Sequence, residues 1–205
     1  MATLLTSVRG RRLGLSPAGR PVADPQVTGS PGALPVVYTA TAASTALSNF
    51  TSARAADNYI TIPANMLEAG SRIKIKYQGI QTAVNGTDTI AVGLNIGGTL
   101  AASTLAVTGG TALLAGTATA GVSSGVVWGE YNLIVRTAGS SGTMVGWGLH
   151  KPVIAAEATV TVKDDILAST TIDTTVAQIV CVPVTYGAAS SSNSFRVDHF
   201  EVEVA

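Results

Sequence analysis

The chain has 205 residues and no net charge, with 12 basic and 12 acidic side chains, and only 12% of its residues are charged, against about 25% in an ordinary soluble domain. Although 46% of the residues are hydrophobic, no stretch approaches the roughly 20 consecutive apolar residues of a membrane-spanning helix, and the lack of basic excess argues against nucleic-acid binding. We therefore expect neither a membrane nor a nucleic-acid partner, and the weakly charged surface favours an oligomer or a larger assembly, because such a surface is poor at keeping molecules apart.

The first 35 residues differ in composition from the rest of the chain. They hold five of the eight prolines and four arginines against one acidic residue, so residues 1–35 carry a charge of +3 and residues 36–205 a charge of −3. Because proline fixes φ and lacks an N–H, a helix cannot run through prolines at this spacing. We predict an extended N-terminal arm, which is either a loose terminus or a segment that orders on a partner and pairs its arginines with carboxylates there: Arg9, Arg11, Arg12 and Arg20.

From Val36 onward the hydrophobic pattern is that of β-strands. Residues 72–77 and 89–95 each alternate polar and apolar side chains, and a period of two is typical of a half-buried strand. Between them, Asn85-Gly86 supplies positive φ at low cost. This dipeptide therefore predicts a hairpin-type turn.

A second pair of alternating segments flanks a short glycine-rich turn. Residues 130–137 and 145–149 both have a period of two, and Gly139-Ser-Ser-Gly142 separates them. The pattern predicts two strands joined by this turn. Tyr131, Leu133 and Val135 share one face of the first strand, and Val145, Trp147 and Leu149 share a phase on the second.

The remaining segments are also β-like. Residues 176–186 form a β-branched run, and residues 195–204 change phase near Asp198-His199, which indicates a bulge. Residues 63–69 are consistent with one helical turn, and no long helix is expected. Residues 109–125 are low in complexity and form either a loop or a pair of edge strands.

The strand count limits the choice of architecture. Eight to ten strands over about 170 residues, with turn signals between them, favour an all-β antiparallel sandwich. At this length a jelly roll, forming one domain over residues 36–205, fits better than an immunoglobulin-like domain of about 100 residues. An up-and-down barrel is the alternative.

Side chains that could support catalysis are few. The two histidines, His150 and His199, lack metal-ligand spacing, so a structural or surface role is expected for each. Cys181 lies in a valine-rich strand and is expected to be a buried small hydrophobe rather than a reactive thiol. We predict no catalytic residue, no cofactor and no metal site, and a protein that is not an enzyme.

The acidic residues show no spacing that would pair them for polysaccharide hydrolysis. Asp164-Asp165 is expected in a solvated turn, since no calcium-loop pattern surrounds it. Asp173 lies in the segment Thr170-Thr-Ile-Asp-Thr-Thr175, and it is expected to cap the turn before the strand at Val176. The other carboxylates weighed for such an enzyme are Glu130 and Glu157.

The two tryptophans are candidates for binding. Trp147 shares a phase with apolar neighbours, so core packing is expected. Trp128 shares a phase with Glu130 and Asn132, and is the better candidate for an outward face that contacts a glycan or another subunit. Aromatic side chains are enriched at the centres of interfaces.

Three regions between about residues 55 and 205 carry a family resemblance in their turns and strand starts. They comprise residues 62–75 with 85–90 and 94–99, residues 133–143, and residues 172–186 with 193–197. The regions read IPANMLEAGSRIKI with NGTDTI and LNIGGT, then LIVRTAGSSGT, and finally IDTTVAQ with the strand to Tyr186 and NSFRV. They resemble a jelly-roll domain found in virion structural proteins of tailed bacteriophages.

The resemblance implies a component of a phage particle, such as a capsid decoration or cement protein, a head fibre or a tail accessory protein, and these commonly form trimers. We expect a homotrimeric decoration protein on the outer surface of the capsid, present in the host cytoplasm during assembly. Its expected partners are the major capsid protein, which the arm would anchor to, and further copies of itself. The alternative is a receptor- or glycan-binding domain of a head fibre or tail accessory protein.

Overall fold

The structure, a computed structural model, describes residues 14–15, 21–22, 35–83, 85–86, 88–116, 118–120, 125–151 and 163–205. These residues form strands, turns and bends and no helix, so the all-β prediction is confirmed. The strands are β1 (Gly14–Leu15), β2 (Pro21–Val22), β3 (Val36–Thr39), β4 (Arg54–Ala55), β5 (Ile60–Ile62), β6 (Arg72–Ala83), β7 (Thr89–Val92), β8 (Leu94–Ile96), β9 (Thr99–Leu100), β10 (Val107–Thr108), β11 (Thr111–Leu114), β12 (Thr119–Ala120), β13 (Gly125–Thr137), β14 (Gly142–Lys151), β15 (Lys163–Ile172), β16 (Gln178–Cys181), β17 (Pro183–Tyr186) and β18 (Ser194–Val204).

The largest sheet has six antiparallel strands in the order β15-β14-β13-β6-β18-β3. Its long strands alternate buried and more exposed residues, as the period-two patterns predict. The alternation places one face of the sheet on the core and leaves the other face outside.

Two four-stranded sheets, β11-β8-β16-β5 and β12-β7-β17-β4, form a second layer. Between β7 and β8 the chain is interrupted only at Gly93, and between β16 and β17 only at Val182. The antiparallel register between the two chain segments continues across the break, and the Gly93 N–H donates to the Pro183 carbonyl at 2.8 Å. The two sheets are therefore halves of one interrupted layer.

One hydrophobic cluster joins both layers. Burial of an aliphatic or aromatic side chain contributes about 1.5–3 kcal/mol, so this shared cluster is the main source of stability. Antiparallel sheets around one cluster are consistent with a β-sandwich. Members from the large sheet include Ile75, Tyr131 and Phe200, and members from the second layer include Ile90, Leu94, Val180 and Val184.

The pairing is nested. β6 pairs with β18 in the large sheet, and the strands that lie between them in the chain, β7–β8 and β16–β17, pair with one another in the second layer. The Asn85-Gly86 turn therefore leads from one sheet to the other, and its prediction as a hairpin-type turn is wrong. Gly86 does adopt φ 57°, but the Asn85 N–H donates to the Asn193 side-chain oxygen at 2.8 Å, which ties the turn to the segment before β18.

Several local predictions are confirmed. Gly139 has φ 112° in the turn that joins β13 to β14. The register between β18 and β6 shifts between Val197 and His199, so the predicted bulge is present. Because this extra residue restores the inward phase, Phe195 and Phe200 are both buried.

Two segments differ from their predictions. Residues 63–70 form turns and not a helical turn, although Gly70 ends the segment with φ 94°. The strand expected from Val176 begins at Gln178, and the Val176 side chain is 50% exposed. In contrast, the low-complexity segment, residues 109–125, contains the edge strands β11 and β12. This confirms the second of its two predicted alternatives.

The prediction that Trp147 packs in the core is wrong. Its indole is 53% exposed, because the inward positions beside it on β14 are glycines. A Cβ on Gly148 would overlap the ring of Tyr131, and one on Gly146 would overlap the Leu133 side chain and the Asn132 carbonyl. The inward phase is thus already filled by side chains of β13, and Trp147 lies in the outward phase.

We expect the Gly148→Ala variant to lower the free energy of unfolding by about 1–3 kcal/mol, the usual effect of overpacking a core. Because the added methyl group overlaps the Tyr131 ring, the loss should be smaller when Tyr131→Leu is already present. A double-mutant cycle measured by denaturant unfolding tests this. Equal losses in both backgrounds would contradict the proposed contact.

Candidate interaction surface on the large sheet

The candidate site is the outer face of the six-stranded sheet, a surface built from three cross-strand rows. Directly paired residues of antiparallel strands share a face, so the pairing register assigns the rows. The first row is Trp147, Asn132, Lys74, Glu203 and Val37; the second is Leu149, Glu130, Lys76, Glu201 and Thr39; the third is Val145, Ile134 and Arg72.

Charged side chains occupy the centre of the outer face and neutralise one another. Lys74 Nζ lies 3.1 Å from Glu130 Oε1, and Lys76 Nζ lies 3.8 Å from Glu201 Oε1. Such partly exposed pairs contribute at most about 1 kcal/mol each. Their main effect is to cancel opposite charges, so the centre of this face has little electrostatic potential to attract a charged partner.

An apolar patch adjoins the charged centre. Trp147 is 53% exposed and Ile134 is 44% exposed, and they are diagonal neighbours across β13 and β14. Together with Val145 they line a shallow groove of about 550 Å³ that also includes Arg72 and Glu203. Exposed large apolar side chains that adjoin one another on one face are typical of contact surfaces.

Three polar side chains in this groove are available to a ligand. Within the described ranges, the side chains of Arg72, Asn132 and Glu203 have no intramolecular hydrogen bond or ion pair. They place a guanidinium, an amide and a carboxylate near the exposed indole of Trp147. The groove therefore combines a stacking surface with free donors and acceptors.

Trp128 lies on the outer face in the phase that the sequence predicts. It belongs to β13, and its neighbours in the register are Lys151 on β14 and Gln78 on β6. Its side chain is half-buried, so Trp147 is the more accessible of the two indoles. The pattern of β14 hides this exposure, because the inward positions on either side of Trp147 are glycines and the outward positions next to it in phase are apolar.

Several other predicted site residues lie outside the described residues, and two lie in β15. The arginines of the arm, Arg9, Arg11, Arg12 and Arg20, fall outside the described ranges, as does Glu157. Asp164 and Asp165 lie in β15 opposite Leu149 and Gly148, so the prediction of a turn is wrong, since the hairpin pairing continues through them.

The remaining titratable residues have structural surroundings. His150 is buried and His199 is exposed on β18. Asp173 accepts hydrogen bonds from the Thr175 N–H at 2.9 Å and the Thr175 hydroxyl at 2.6 Å, which confirms its predicted turn-capping role. Cys181 is fully buried, and burial raises the pKa of its thiol to about 12.

No group of three or more histidine, cysteine, aspartate or glutamate side chains that could hold a metal ion occurs in the part of the chain that the structure describes. Within that part, no helix is long and apolar enough to cross a membrane. Neither a comparison with protein-family models nor one with curated proteins finds a match for the sequence.

Thiol labelling tests the burial of Cys181 directly. At a pH of about 8, far below the raised pKa of about 12, the folded protein should not react with a thiol-specific reagent, because the thiolate is the nucleophile. After denaturation one thiol per chain should react at the rate of an ordinary cysteine. Rapid labelling of the folded protein would contradict this environment.

Proposed function

We propose that this chain is a structural component of a tailed-bacteriophage particle. In this proposal it is a homotrimeric capsid decoration or cement protein that binds the major capsid protein with its N-terminal arm and stabilises the shell. It occupies the outer surface of the capsid and is present in the host cytoplasm during assembly.

We further propose that the sandwich has jelly-roll topology. A jelly roll folds an antiparallel ribbon so that its two halves lie in opposite sheets. The nested pairing of β6 with β18, and of β7–β8 with β16–β17, supports this topology. The sequence resemblance to jelly-roll virion proteins supports it independently.

The observation that carries the assembly role is the exposed apolar patch on the outer face. Trp147 and Ile134 present large apolar side chains on a broad sheet, beside charges that are already paired. A broad and nearly neutral face with an aromatic side chain suits contact with another protein surface. This arrangement favours a contact role over the enclosed cleft of an enzyme.

The position of the arm supports its proposed use as an anchor. Residues 1–35 end where β3 begins, and β3 is the last strand of the large sheet in the described structure. An arm that leaves an edge strand is free to lie along a shell. Its four arginines can pair there with carboxylates of the major capsid protein.

Replacing Arg9, Arg11, Arg12 and Arg20 with serine in the full-length chain should abolish binding to capsids that lack this protein, because it removes the charge-assisted hydrogen bonds of the arm. Co-sedimentation with purified capsids measures this. Deletion of residues 1–35 should have the same effect and leave the oligomer intact. The matched control is Arg136→Ser, which removes an exposed arginine of β13. Undiminished binding by the four-serine variant would contradict the anchoring role.

A second candidate function is receptor or glycan binding by a head fibre or tail accessory protein. The groove beside Trp147 favours it, since Arg72, Asn132 and Glu203 supply unpaired donors and acceptors around an exposed indole. Aromatic rings bury large apolar area and provide a face for stacking. A pyranose ring stacked on Trp147 could use these polar groups.

This second function predicts that the full-length protein binds members of a glycan array and that Trp147→Ala abolishes the binding. Trp128→Phe, which alters the half-buried indole outside the groove, should leave binding unchanged. If the unaltered protein binds no glycan on the array, the glycan-binding function is rejected.

A further inference from the structure

We propose that copies of this chain contact one another through two unlike apolar margins of the outer face. The first margin consists of Val145, Trp147 and Ile134, and the second is Val37 on β3. The first margin of one copy packs against the second margin of the next. This inference rests on the proposed function, because it names the surface through which the assembly forms.

The two margins lie four strands apart on one row of the outer face. Trp147 and Val37 are both 53% exposed, and Asn132, Lys74 and Glu203 separate them. Four strand spacings of about 4.8 Å place their backbones roughly 19 Å apart. The two exposed side chains therefore do not cover each other within one copy.

The edge strand β3 lacks the residues that usually protect the edge of a sheet. Its sequence is Val-Val-Tyr-Thr, and it carries neither a charge nor a proline. Edge strands of monomeric proteins are normally protected by such residues, since an unprotected edge invites pairing with other chains. An exposed valine on such an unprotected edge strand is typical of a surface that another chain covers.

The charge pattern favours a second copy over a foreign, strongly charged partner. The three rows of the outer face hold three basic and three acidic side chains in their central strands, and two pairs are already bridged. A charged partner would gain little from this neutral centre and would have to desolvate it. A copy of the same chain brings an equally neutral face and apolar margins.

Both margins together also favour a second copy over a sugar. The first margin has an indole and polar neighbours that could hold a sugar. Val37 offers no stacking ring and no side-chain hydrogen bond. One occupant that explains the exposure of both margins is another copy of this chain.

The available area is sufficient for such a contact. The whole outer face, with five strands of 10–13 residues and the four-residue β3 spaced about 4.8 Å apart, covers roughly 1,000 Å². Stable interfaces bury about 800 Å² per partner. A contact that also covers the rows between the margins is therefore large enough. When contact between unlike margins is heterologous, it can close into a ring in which each copy uses both margins.

The test begins with the molar mass of the full-length protein in solution by light scattering. The unaltered protein should have a multiple of the single-chain mass of 20.6 kDa. Trp147→Glu and Val37→Glu should each shift it to the single-chain mass. The combination of Trp147→Glu with Val37→Lys should restore the assembly, because a glutamate then meets a lysine across the contact. Val176→Glu is the matched control, since Val176 is 50% exposed outside the outer face, and it should leave the mass unchanged.

Cross-linking provides a readout that does not require dissociation. Trp147→Cys combined with Val37→Cys should form disulfides between copies under mild oxidation, whereas either cysteine alone should not. The native Cys181 is buried and does not compete. If Trp147→Cys alone links copies, the contact joins like margins and the inference is overturned.

The outcomes separate this inference from the proposed function. A single-chain mass for the unaltered protein would overturn the assembly and the inference together. An assembled protein whose mass resists both single substitutions and whose paired cysteines do not cross-link would overturn only the choice of surface. Capsid binding through the arm is measured independently of all these variants.

Discussion

The contact between aromatic rings and cross-strand glycines is the constraint on which the large sheet depends. Tyr77 packs over Gly129 of the neighbouring strand, and Tyr131 packs over Gly148. At each of these glycines a Cβ would overlap the ring. A ring that fills the space above a glycine compensates for its missing side chain, and it fixes the register because a slip of one residue would bring a side chain under the ring.

This constraint decides which residues reach the outer face. Gly146 and Gly148 occupy inward positions of β14, and the apolar residues that alternate with them, Val145, Trp147 and Leu149, lie in the outward phase. The core loses no packing by this, since Tyr131 and Leu133 extend across from β13. The exposed indole of Trp147 is thus a consequence of how the core is filled, and it provides the apolar part of the candidate site.

The sequence predicts the strands well wherever inward side chains are large. The faces of residues 72–77 and 130–137 and the bulge near His199 are all confirmed, because Ile, Tyr, Leu and Phe at alternate positions report their burial directly. The predicted phase of β14 is wrong, because the hydropathy of a glycine does not show that a side chain of the neighbouring strand fills the space above it. The prediction that Asn85-Gly86 joins two paired strands is wrong for another reason. A turn residue reports local backbone conformation and not whether the chain returns to the same sheet.

The uneven distribution of charge links the composition to the proposed assembly. Six of the 24 charged side chains lie in the three rows of the outer face, where they mostly neutralise one another. The margins of the same face, and the whole of β3, carry none. A monomer would need charge at those positions, because charge protects an exposed edge and an apolar patch from other chains. In a closed assembly the same positions are covered, and charge there would be buried at a cost of several kcal/mol. The low charge of the chain is therefore consistent with a surface adapted to contact between copies.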